Sequence, residues 1–333
     1  MFAVSIGAMR VAVLDDFHRV FESDPAIARL RSRATVDVFT EKVPSLDVLR
    51  GYSALIALRE RTRFDESFFA QVPGIELIAQ TGNHAYHVDL DAATKAGVLV
   101  CMGSSDRDSM LDLTASTVEL TFALMLAIMR QVPQTDRAVR EGRWPSLSGH
   151  TLRGKRFGLL GLGRIGREIA RVAKAFGMEV LAWGPTLTAE RAAASGATYM
   201  DLDALLEASD VVSIHLKLSP ESKGLIDEAR LRRIGPKGFL VNTARGAIVD
   251  EAALARVLAE GALGGAGLDV FVEEPLPADS PLLELENVVL TPHLGWIADL
   301  TYRLFAESVV RIIEAYLDGA DVKALNPQAR AAN

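Results

Sequence analysis

Three glycines near the middle of the chain have the spacing of a dinucleotide-binding turn. Gly161, Gly163 and Gly166 form the pattern GxGxxG between an apolar stretch that predicts a strand and a stretch that predicts a helix. The first glycine permits a tight bend, the second lets the backbone approach a pyrophosphate, and the third lets the helix pack against the strand. Because a helix start also offers free N–H groups to phosphates, the segment predicts a dinucleotide site that includes Arg164 and Ile165. A glycine-rich turn in an ordinary α/β unit is the alternative.

Three further side chains could carry out proton transfer and carboxylate binding. Arg245, Glu274 and His293 each follow a separate apolar stretch that predicts a strand, and open α/β sheets build ligand sites at the carboxyl ends of strands. Arginine presents a planar cationic fork to a carboxylate and its adjacent carbonyl. Histidine suits proton transfer near neutrality, and a carboxylate beside it favours the imidazolium. Alone, such an arginine is often a surface salt bridge and such a histidine a packed side chain, but together, beside a dinucleotide unit, these residues predict a catalytic site.

Two sets of alternating apolar strands and helices must position these residues, and such alternation implies parallel sheets. The predicted strands are 10–14, 36–39, 54–57, 77–80, 98–101, 157–160, 179–183, 211–215, 239–242, 265–269 and 288–291. A long helical stretch from about 112 to 140 separates the two sets, and a last helix over about 300–317 follows the second, six-stranded set. The chain therefore forms either two consecutive domains or a second domain from which it returns to the first, and the last helix favours the return.

The composition narrows the function classes. The chain has 333 residues, of which 49% are hydrophobic, and a formal net charge of -7, which argues against nucleic acid and anionic membranes as partners. Cys101 is the one cysteine, so no intramolecular disulfide forms, and the N-terminus lacks the basic region of a signal peptide. We therefore expect a cytoplasmic protein with no metal site.

The chain resembles the D-isomer-specific 2-hydroxyacid dehydrogenase family over nearly its whole length. The resemblance is carried by GLGRIG at 161–166, NTARGAIVDE at 242–251, GLDVFVEEP at 267–275 and TPHLG at 291–295. It implies an α/β fold with two Rossmann-like domains. A dinucleotide-binding domain, residues 105–296, is inserted into a smaller flavodoxin-like substrate domain, residues 1–104 and 297–333.

The resemblance also implies an activity. NAD(P)H would deliver a hydride to a 2-oxo acid of the glyoxylate or hydroxypyruvate type or larger, giving a D-2-hydroxy acid. His293 would protonate the forming alkoxide, Glu274 would keep His293 cationic, and Arg245 would bind the carboxylate. Glu273 is a rival to Glu274, but the resemblance places the catalytic carboxylate directly before Pro275.

The remaining candidate contacts fall into two groups. The candidate cofactor contacts outside the glycine turn are Thr117, Gly184, His215, Thr243, Ala244, Asp269 and Gly295. The candidate substrate contacts besides Arg245 are Gly82, Asn83, His84 and Trp296. In the family the loop at Gly82 offers backbone N–H groups to the substrate carboxylate, whereas Asn83 and His84 are larger than usual, so His84 either contacts substrate or faces solvent. Trp296 either shapes the substrate pocket, which we favour, or packs between the domains.

The cofactor choice departs from the NAD pattern. An NAD-selective unit usually carries an acid at the end of its second strand, on the ribose 2′-OH, but Gly184 stands there. Nothing repels a 2′-phosphate, Thr186 or Thr188 could hydrogen-bond one, and Arg191 is the nearest cation. The cofactor is therefore expected to be NADP(H) or NAD(H).

The apolar helix over 113–129 is too hydrophobic to face solvent, so it lies either at a subunit interface or buried within one subunit. The family resemblance favours the interface, and we expect a homodimer built chiefly on the dinucleotide-binding domain. Two other functions remain open. One is a dinucleotide-sensing, corepressor-like binding protein, and the other is a formate- or phosphite-type dehydrogenase. Turnover of 2-oxo acids distinguishes them.

Overall fold

The chain builds one α/β unit, leaves it to build a second, and returns to the first. In the computed structural model, which describes residues 9–82, 85–103 and 107–331, one unit comprises Met1–Leu113 and Asp299–Asn333. The other comprises Thr114–Ala298. Of residues 107–113 and 330–331 only the backbone is described. The predicted fold class, an α/β fold with one Rossmann-like domain inserted into another, is confirmed.

The first unit is built on a five-stranded parallel sheet in the order β2-β1-β3-β4-β5, the flavodoxin-like order. Its strands are β1 (Arg10–Leu14), β2 (Thr35–Val38), β3 (Ala54–Ala57), β4 (Leu77–Gln80) and β5 (Leu99–Met102). Its α-helices are α1 (Pro25–Arg31), α2 (Glu66–Gln71), α3 (Leu90–Lys95) and, after the return of the chain, α11 (Asp299–Leu317). Arg29 on α1 forms ion pairs with Glu307 and Glu314 on α11, at 3.0 and 2.9 Å. The returning helix is therefore part of the first unit.

The second unit is built on a seven-stranded parallel sheet in the order β12-β11-β10-β9-β6-β7-β8. Its strands are β6 (Arg156–Leu160), β7 (Glu179–Trp183), β8 (Thr198–Tyr199), β9 (Val211–Ile214), β10 (Phe239–Asn242), β11 (Gly265–Leu268) and β12 (Val288–Leu290). Counted from β6, this is the Rossmann order 3-2-1-4-5-6 with one further strand. The sequence predicted six strands because β8 has only two residues, too few to produce a pattern.

The helices of the second unit either precede its first strand or connect its strands. They are α4 (Arg107–Met129), which belongs to this unit from Thr114 onward, α5 (Val132–Arg140), α6 (Arg164–Ala175), α7 (Ala189–Ala194), α8 (Leu202–Ala208), α9 (Glu228–Ile234) and α10 (Glu251–Ala259). Within the described ranges, no single helix is long and apolar enough to cross a bilayer. The adjoining helices 114–129 and α5 pass that test only as a pair, and they are bent by 61°.

Helix α4 packs into the core of its own unit. Phe122, Met125 and Ile128 are buried among the strand residues, and the ring of Phe122 stacks on that of Phe157. Burial within one chain, the alternative that the sequence left open, therefore accounts for the hydrophobic character of these residues, and the homodimer stays a prediction.

Candidate active site

The glycine turn between β6 and α6 has the geometry that a pyrophosphate requires. Gly161 has φ 103°, and a Cβ built there would lie 2.5 Å from the carbonyl oxygen of His215. A Cβ on Gly166 would lie 2.1 Å from the carbonyl oxygen of Gly161, so these two positions exclude any side chain. Gly163 instead faces open space and precedes α6 without a side-chain cap. The first-turn N–H groups, at Arg164 and the residues after it, are therefore available to a phosphate.

The end of β7 lies beside this turn. A Cβ on Gly184 would lie 4.0 Å from the Cα of Gly161 and 3.5 Å from the Cβ of Leu187, both ordinary contact distances. The second-strand position that sets cofactor choice in Rossmann units is thus next to the first glycine of the turn. It has room for a side chain, although the sequence provides none.

Arg191 reaches back to the loop that follows β7. Its Nη1 donates to the carbonyl oxygen of Thr186 at 2.7 Å, and its backbone N–H donates to the hydroxyl of Thr188, which caps α7. The guanidinium therefore lies on the loop directly after Gly184, although Arg191 is seven residues away in sequence. The three residues named from the sequence as possible contacts of a 2′-phosphate are joined in one network.

His215 lies at the same edge of the sheet, directly after β9. Its Nε2 lies 2.7 Å from the Ser213 hydroxyl, and burial lowers the pKa of His215 to about 3, so the ring is neutral. Its carbonyl oxygen is the atom that Gly161 approaches. The predicted contact of its side chain with the cofactor stays a prediction.

Glu274 and His293 form the central pair of the site. Glu274 Oε2 accepts a hydrogen bond from His293 Nδ1 at 2.7 Å, and its Oε1 accepts one from the N–H of Phe271 at 3.0 Å. Burial alone would raise the pKa of Glu274. The hydrogen bonds from His293 and Phe271, with the charges of His293 and Arg245, outweigh it and hold the pKa below its ordinary value. The carboxylate is therefore ionised at neutral pH and favours the Nδ1–H form of the ring, which leaves Nε2 as the nitrogen that does not face Glu274.

Asp269 holds the loop that carries His293. Its side chain is fully buried, Oδ1 accepts hydrogen bonds from the Thr291 hydroxyl and the Leu294 N–H, and Oδ2 accepts one from the Gly295 N–H. Burial raises the pKa of Asp269, while these hydrogen bonds oppose the change. His293 itself has φ 55°, an uncommon backbone conformation for a residue with a side chain. The loop keeps this conformation because the Asp269 carboxylate binds the backbone N–H groups of Leu294 and Gly295, the two residues directly after His293.

Arg245 lies on a loop that touches the loop carrying Glu274. The backbone carbonyl of Arg245 accepts a hydrogen bond from Asn242 Nδ2 at 3.0 Å, and its Nη1 donates to the carbonyl of Ala244 at 2.6 Å. A Cβ built on Gly246 would lie 2.0 Å from the carbonyl carbon of Phe271, so only glycine fits there. The arginine and the acid–base pair are thereby held close together.

Three predicted cofactor contacts, Thr117, Thr243 and Gly295, take part in hydrogen bonds within the second unit. Thr117 on α4 donates its hydroxyl hydrogen to the carbonyl of Gly295 at 2.7 Å, and the hydroxyls of Thr121 and Thr243 lie 3.0 Å apart. Helix α4 is therefore tied both to the loop after His293 and to the loop before Arg245. The sequence analysis did not assign roles to Asn242 and Thr291, although both stand inside the motifs it singled out.

The candidate substrate contacts are only partly described. Gly82 follows β4, and a Cβ built on it would lie 2.5 Å from Arg59 Nη1, so the guanidinium packs on this glycine. Asn83 and His84 lie outside the described residues. Trp296 is partly buried in the loop after His293. The roles of all four residues stay predictions.

Comparison with known proteins identifies the relatives of this chain. The family profile described as "D-isomer specific 2-hydroxyacid dehydrogenase, NAD binding domain" matches residues 122–295. A glyoxylate reductase from Korarchaeum cryptofilum is 35% identical over 304 residues, 88% of this chain and 90% of the relative. A D-3-phosphoglycerate dehydrogenase from Archaeoglobus fulgidus is 40% identical over 246 residues, 73% of this chain but only 45% of the longer relative. The crystal structure of a phosphoglycerate oxidoreductase from Vibrio cholerae has a TM-score of 0.83 at 31% identity, covering 94% of this chain and all of that one.

Proposed function

Since the chain belongs to the D-isomer-specific 2-hydroxyacid dehydrogenase family of NAD(P)-dependent enzymes, we propose that it reduces a 2-oxo acid to a D-2-hydroxy acid. The reaction is reversible, and the substrate is of the glyoxylate or hydroxypyruvate type or larger. The observation that carries the proposal is the 2.7 Å hydrogen bond between Glu274 and His293, with Arg245 on the adjoining loop. This arrangement combines a proton donor, its carboxylate partner and a cation for the substrate carboxylate.

The proton donor is His293 in its cationic form. A bound nicotinamide cofactor, held at the turn from Gly161 to Gly166, supplies the hydride that the 2-oxo carbon accepts. His293 Nε2 gives its proton to the carbonyl oxygen as that oxygen gains negative charge. Glu274 keeps Nδ1 protonated and stabilises the imidazolium before the transfer. In the reverse direction the neutral ring accepts the hydroxyl proton.

Arg245 binds and polarises the substrate. Its guanidinium can present two parallel N–H groups to the carboxylate, which a lysine ammonium cannot do. A cation beside the carbonyl also stabilises the developing alkoxide, and such fixed charge is commonly the largest electrostatic contribution to catalysis. The same positive charge helps to keep Glu274 ionised.

The loop after β7 supports NADP(H) as a cofactor, with NAD(H) still accepted. Gly184 places no acid against a 2′-phosphate, and Arg191 brings a cation to the loop through Thr186. A ribose bound beside Gly161 would carry its 2′ group toward this loop, since Gly184 adjoins that glycine.

The proposed location is the cytoplasm, where a free thiol such as that of the buried Cys101 stays reduced.

The proposed assembly is a homodimer. Since Phe122, Met125 and Ile128 of α4 are buried within their unit, the structural support for a dimer comes from the segment that follows this helix. Trp144 is 90% exposed, and three further apolar side chains of residues 132–147 are about half exposed: Val132, Val139 and Leu147. Apolar residues gathered on one surface segment indicate a protein contact. A monomeric mass in solution at micromolar protein would contradict the dimer.

A panel of 2-oxo acids, each assayed with NADPH and with NADH, tests the proposed activity. We expect reduction of at least one acid of the panel. Chiral analysis should show that the product is the D isomer. The matched control is His293→Ala, which should still bind the cofactor. Turnover only of formate or phosphite would favour the one-carbon or inorganic-donor alternative. Tight dinucleotide binding without any turnover would favour the corepressor-like alternative.

A further inference from the structure

The loop that carries Glu274 is attached to the start of α10 by a side chain that the mechanism does not use. Glu251, the first residue of α10, accepts a hydrogen bond at Oε2 from the backbone N–H of Val272 at 3.0 Å. Together with the close contact between Gly246 and Phe271, this bond joins residues 245–251 to residues 271–274. These two segments carry the arginine and the carboxylate of the site.

The loop needs such an attachment because little packing holds it. Residues 272–274 form neither helix nor strand, and the side chain of Val272 is 59% exposed. The other hydrogen bond in this turn, from the N–H of Phe271, goes to Glu274 itself and so moves with the carboxylate. Glu251, in contrast, stands on a helix whose buried residues belong to the core of the second unit. Of the two carboxylates that accept these backbone hydrogen bonds, Glu274 lies in the loop itself and Glu251 lies outside it.

We propose that Glu251 is a positioning residue for the acid–base pair, an inference that rests on the proposed function. By holding the N–H of Val272, its carboxylate fixes the backbone from which Glu274 reaches His293. It also sets that backbone against the Arg245 loop, which leads directly into α10. Glu251 touches no reacting atom and acts only through the position of Glu274.

A purely structural role must be separated from this one. An acidic residue in the first turn also stabilises a helix through the helix dipole, so loss of Glu251 could lower stability without affecting the site. Glu251→Gln removes the charge but keeps a carbonyl oxygen that can accept from Val272, whereas Glu251→Ala removes both. The dipole effect is lost in both variants, while the attachment of the loop is lost only in Glu251→Ala.

The first measurement does not depend on turnover. Carbon-detected NMR of protein labelled at the glutamate carboxyl carbon follows the titration of Glu274, identified as the signal missing in Glu274→Gln. We expect the pKa of Glu274 to lie below its ordinary value in the wild type and to rise in Glu251→Ala, because the bond to His293 is loosened. Glu251→Gln should titrate as the wild type does. Unchanged titration of Glu274 in Glu251→Ala would overturn the inference, whatever the activity.

The second measurement is steady-state kinetics on the same variants. Small misplacements of a catalytic group can cost about 100-fold in rate, so we expect Glu251→Ala to lose about 10- to 100-fold in kcat, with an unchanged KM for the cofactor. Glu251→Gln should regain most of the loss, and Glu273→Ala, which removes a neighbouring carboxylate of the same loop, serves as the matched control. A lowered melting temperature with unchanged kcat would reduce Glu251 to a stabilising residue and overturn the inference. A wild type that reduces no 2-oxo acid would instead refute the proposed function, and the NMR titration would still decide the role of Glu251.

Discussion

Glu274→Gln is the perturbation that tests the acid–base pair most directly, because it removes a charge while keeping the size of the side chain. The glutamine Oε1 can still accept from the N–H of Phe271, so the loop keeps that hydrogen bond. Its other terminal group becomes an amide that donates a hydrogen bond toward His293 Nδ1. A donor at that position favours the neutral ring, whereas the carboxylate favours the imidazolium.

The size of the effect follows from the geometry of the pair. Hydrogen bonds to charged groups contribute about 1.5–3 kcal/mol. The side chains of His293 and Glu274 are 32% and 36% exposed, so solvent screening places this pair near the lower end of that range. A loss of about 1.5 kcal/mol corresponds to a shift of about one pH unit. Because reduction requires the cationic ring, activity is present at low pH and is lost as the pH rises. The descending limb should therefore move to lower pH in Glu274→Gln.

The assay is kcat/KM for reduction of the best 2-oxo acid at pH values on both sides of neutrality. We expect the descending limb of Glu274→Gln to lie about one pH unit lower, with about a tenfold loss of rate above the wild-type midpoint. Glu273→Gln is the control, since Glu273 stands next to Glu274 in the chain. An unshifted limb in Glu274→Gln, or an equal shift in Glu273→Gln, would refute the assignment of Glu274 as the partner of His293.

Three further predictions concern the donor, the substrate clamp and the cofactor. His293→Ala should bind the cofactor normally and lose about 100- to 10,000-fold in rate, measured by cofactor titration and turnover; near-full rate would remove His293 from proton transfer. Arg245→Lys should lose kcat/KM mainly through a raised substrate KM, because a point charge cannot replace the planar fork, and unchanged efficiency would exclude the clamp. Gly184→Asp should shift preference toward NADH, since two like charges about 4 Å apart repel by roughly 4 kcal/mol at an effective dielectric of 20. The ratio of kcat/KM for NADPH and NADH measures the shift, and a wild type that already rejects NADPH would contradict the interpretation of Gly184.

The strands and their order of appearance were accessible from the sequence because parallel strands are covered on both faces. Such strands form continuous apolar runs, and β1, β3, β4, β7 and β10 have the predicted bounds. The other predicted strands differ from the structure by a residue at one or both ends. The two-residue strand β8 was missed, because two residues carry no periodicity.

Apolar character does not identify the surface that buries it, and this is why the sequence left two explanations open for α4. Phe122 and Met125 pack within their own unit, and a sequence pattern cannot distinguish that outcome from packing against a partner. Trp144, the most exposed large apolar side chain among the described residues, stands instead in a stretch that follows the predicted helix and has no apolar periodicity. Exposure is a property of the folded chain, so only the structure could reveal it.

The candidate catalytic residues were found from their types, but the residues that position them were not. The predicted contact of Asp269 with the cofactor stays a prediction, and the structure adds a role that the sequence did not indicate: both of its carboxylate oxygens accept hydrogen bonds from the loop that carries His293. Glu251 stood at the end of a recognised motif without an assigned task, and its acceptor function involves Val272, 21 residues further along. Hydrogen bonds between separate loops leave no local signature, because neither partner has an unusual neighbour in the sequence.

Gly246 allows the loop that carries Arg245 to lie against the loop that carries Glu274. Its missing side chain admits the backbone of Phe271, while Arg245 precedes it and Glu251 ends the same motif. A side chain at 246 would separate the loops, and the separation would displace Glu274 from His293 and from the charge of Arg245 at once. The absence of a side chain at Gly246 therefore sets the position of the Arg245 loop and that of the Glu274–His293 pair together. The NTARGAIVDE and GLDVFVEEP segments act as one structural element, although β11 and α10 lie between their functional residues in the chain.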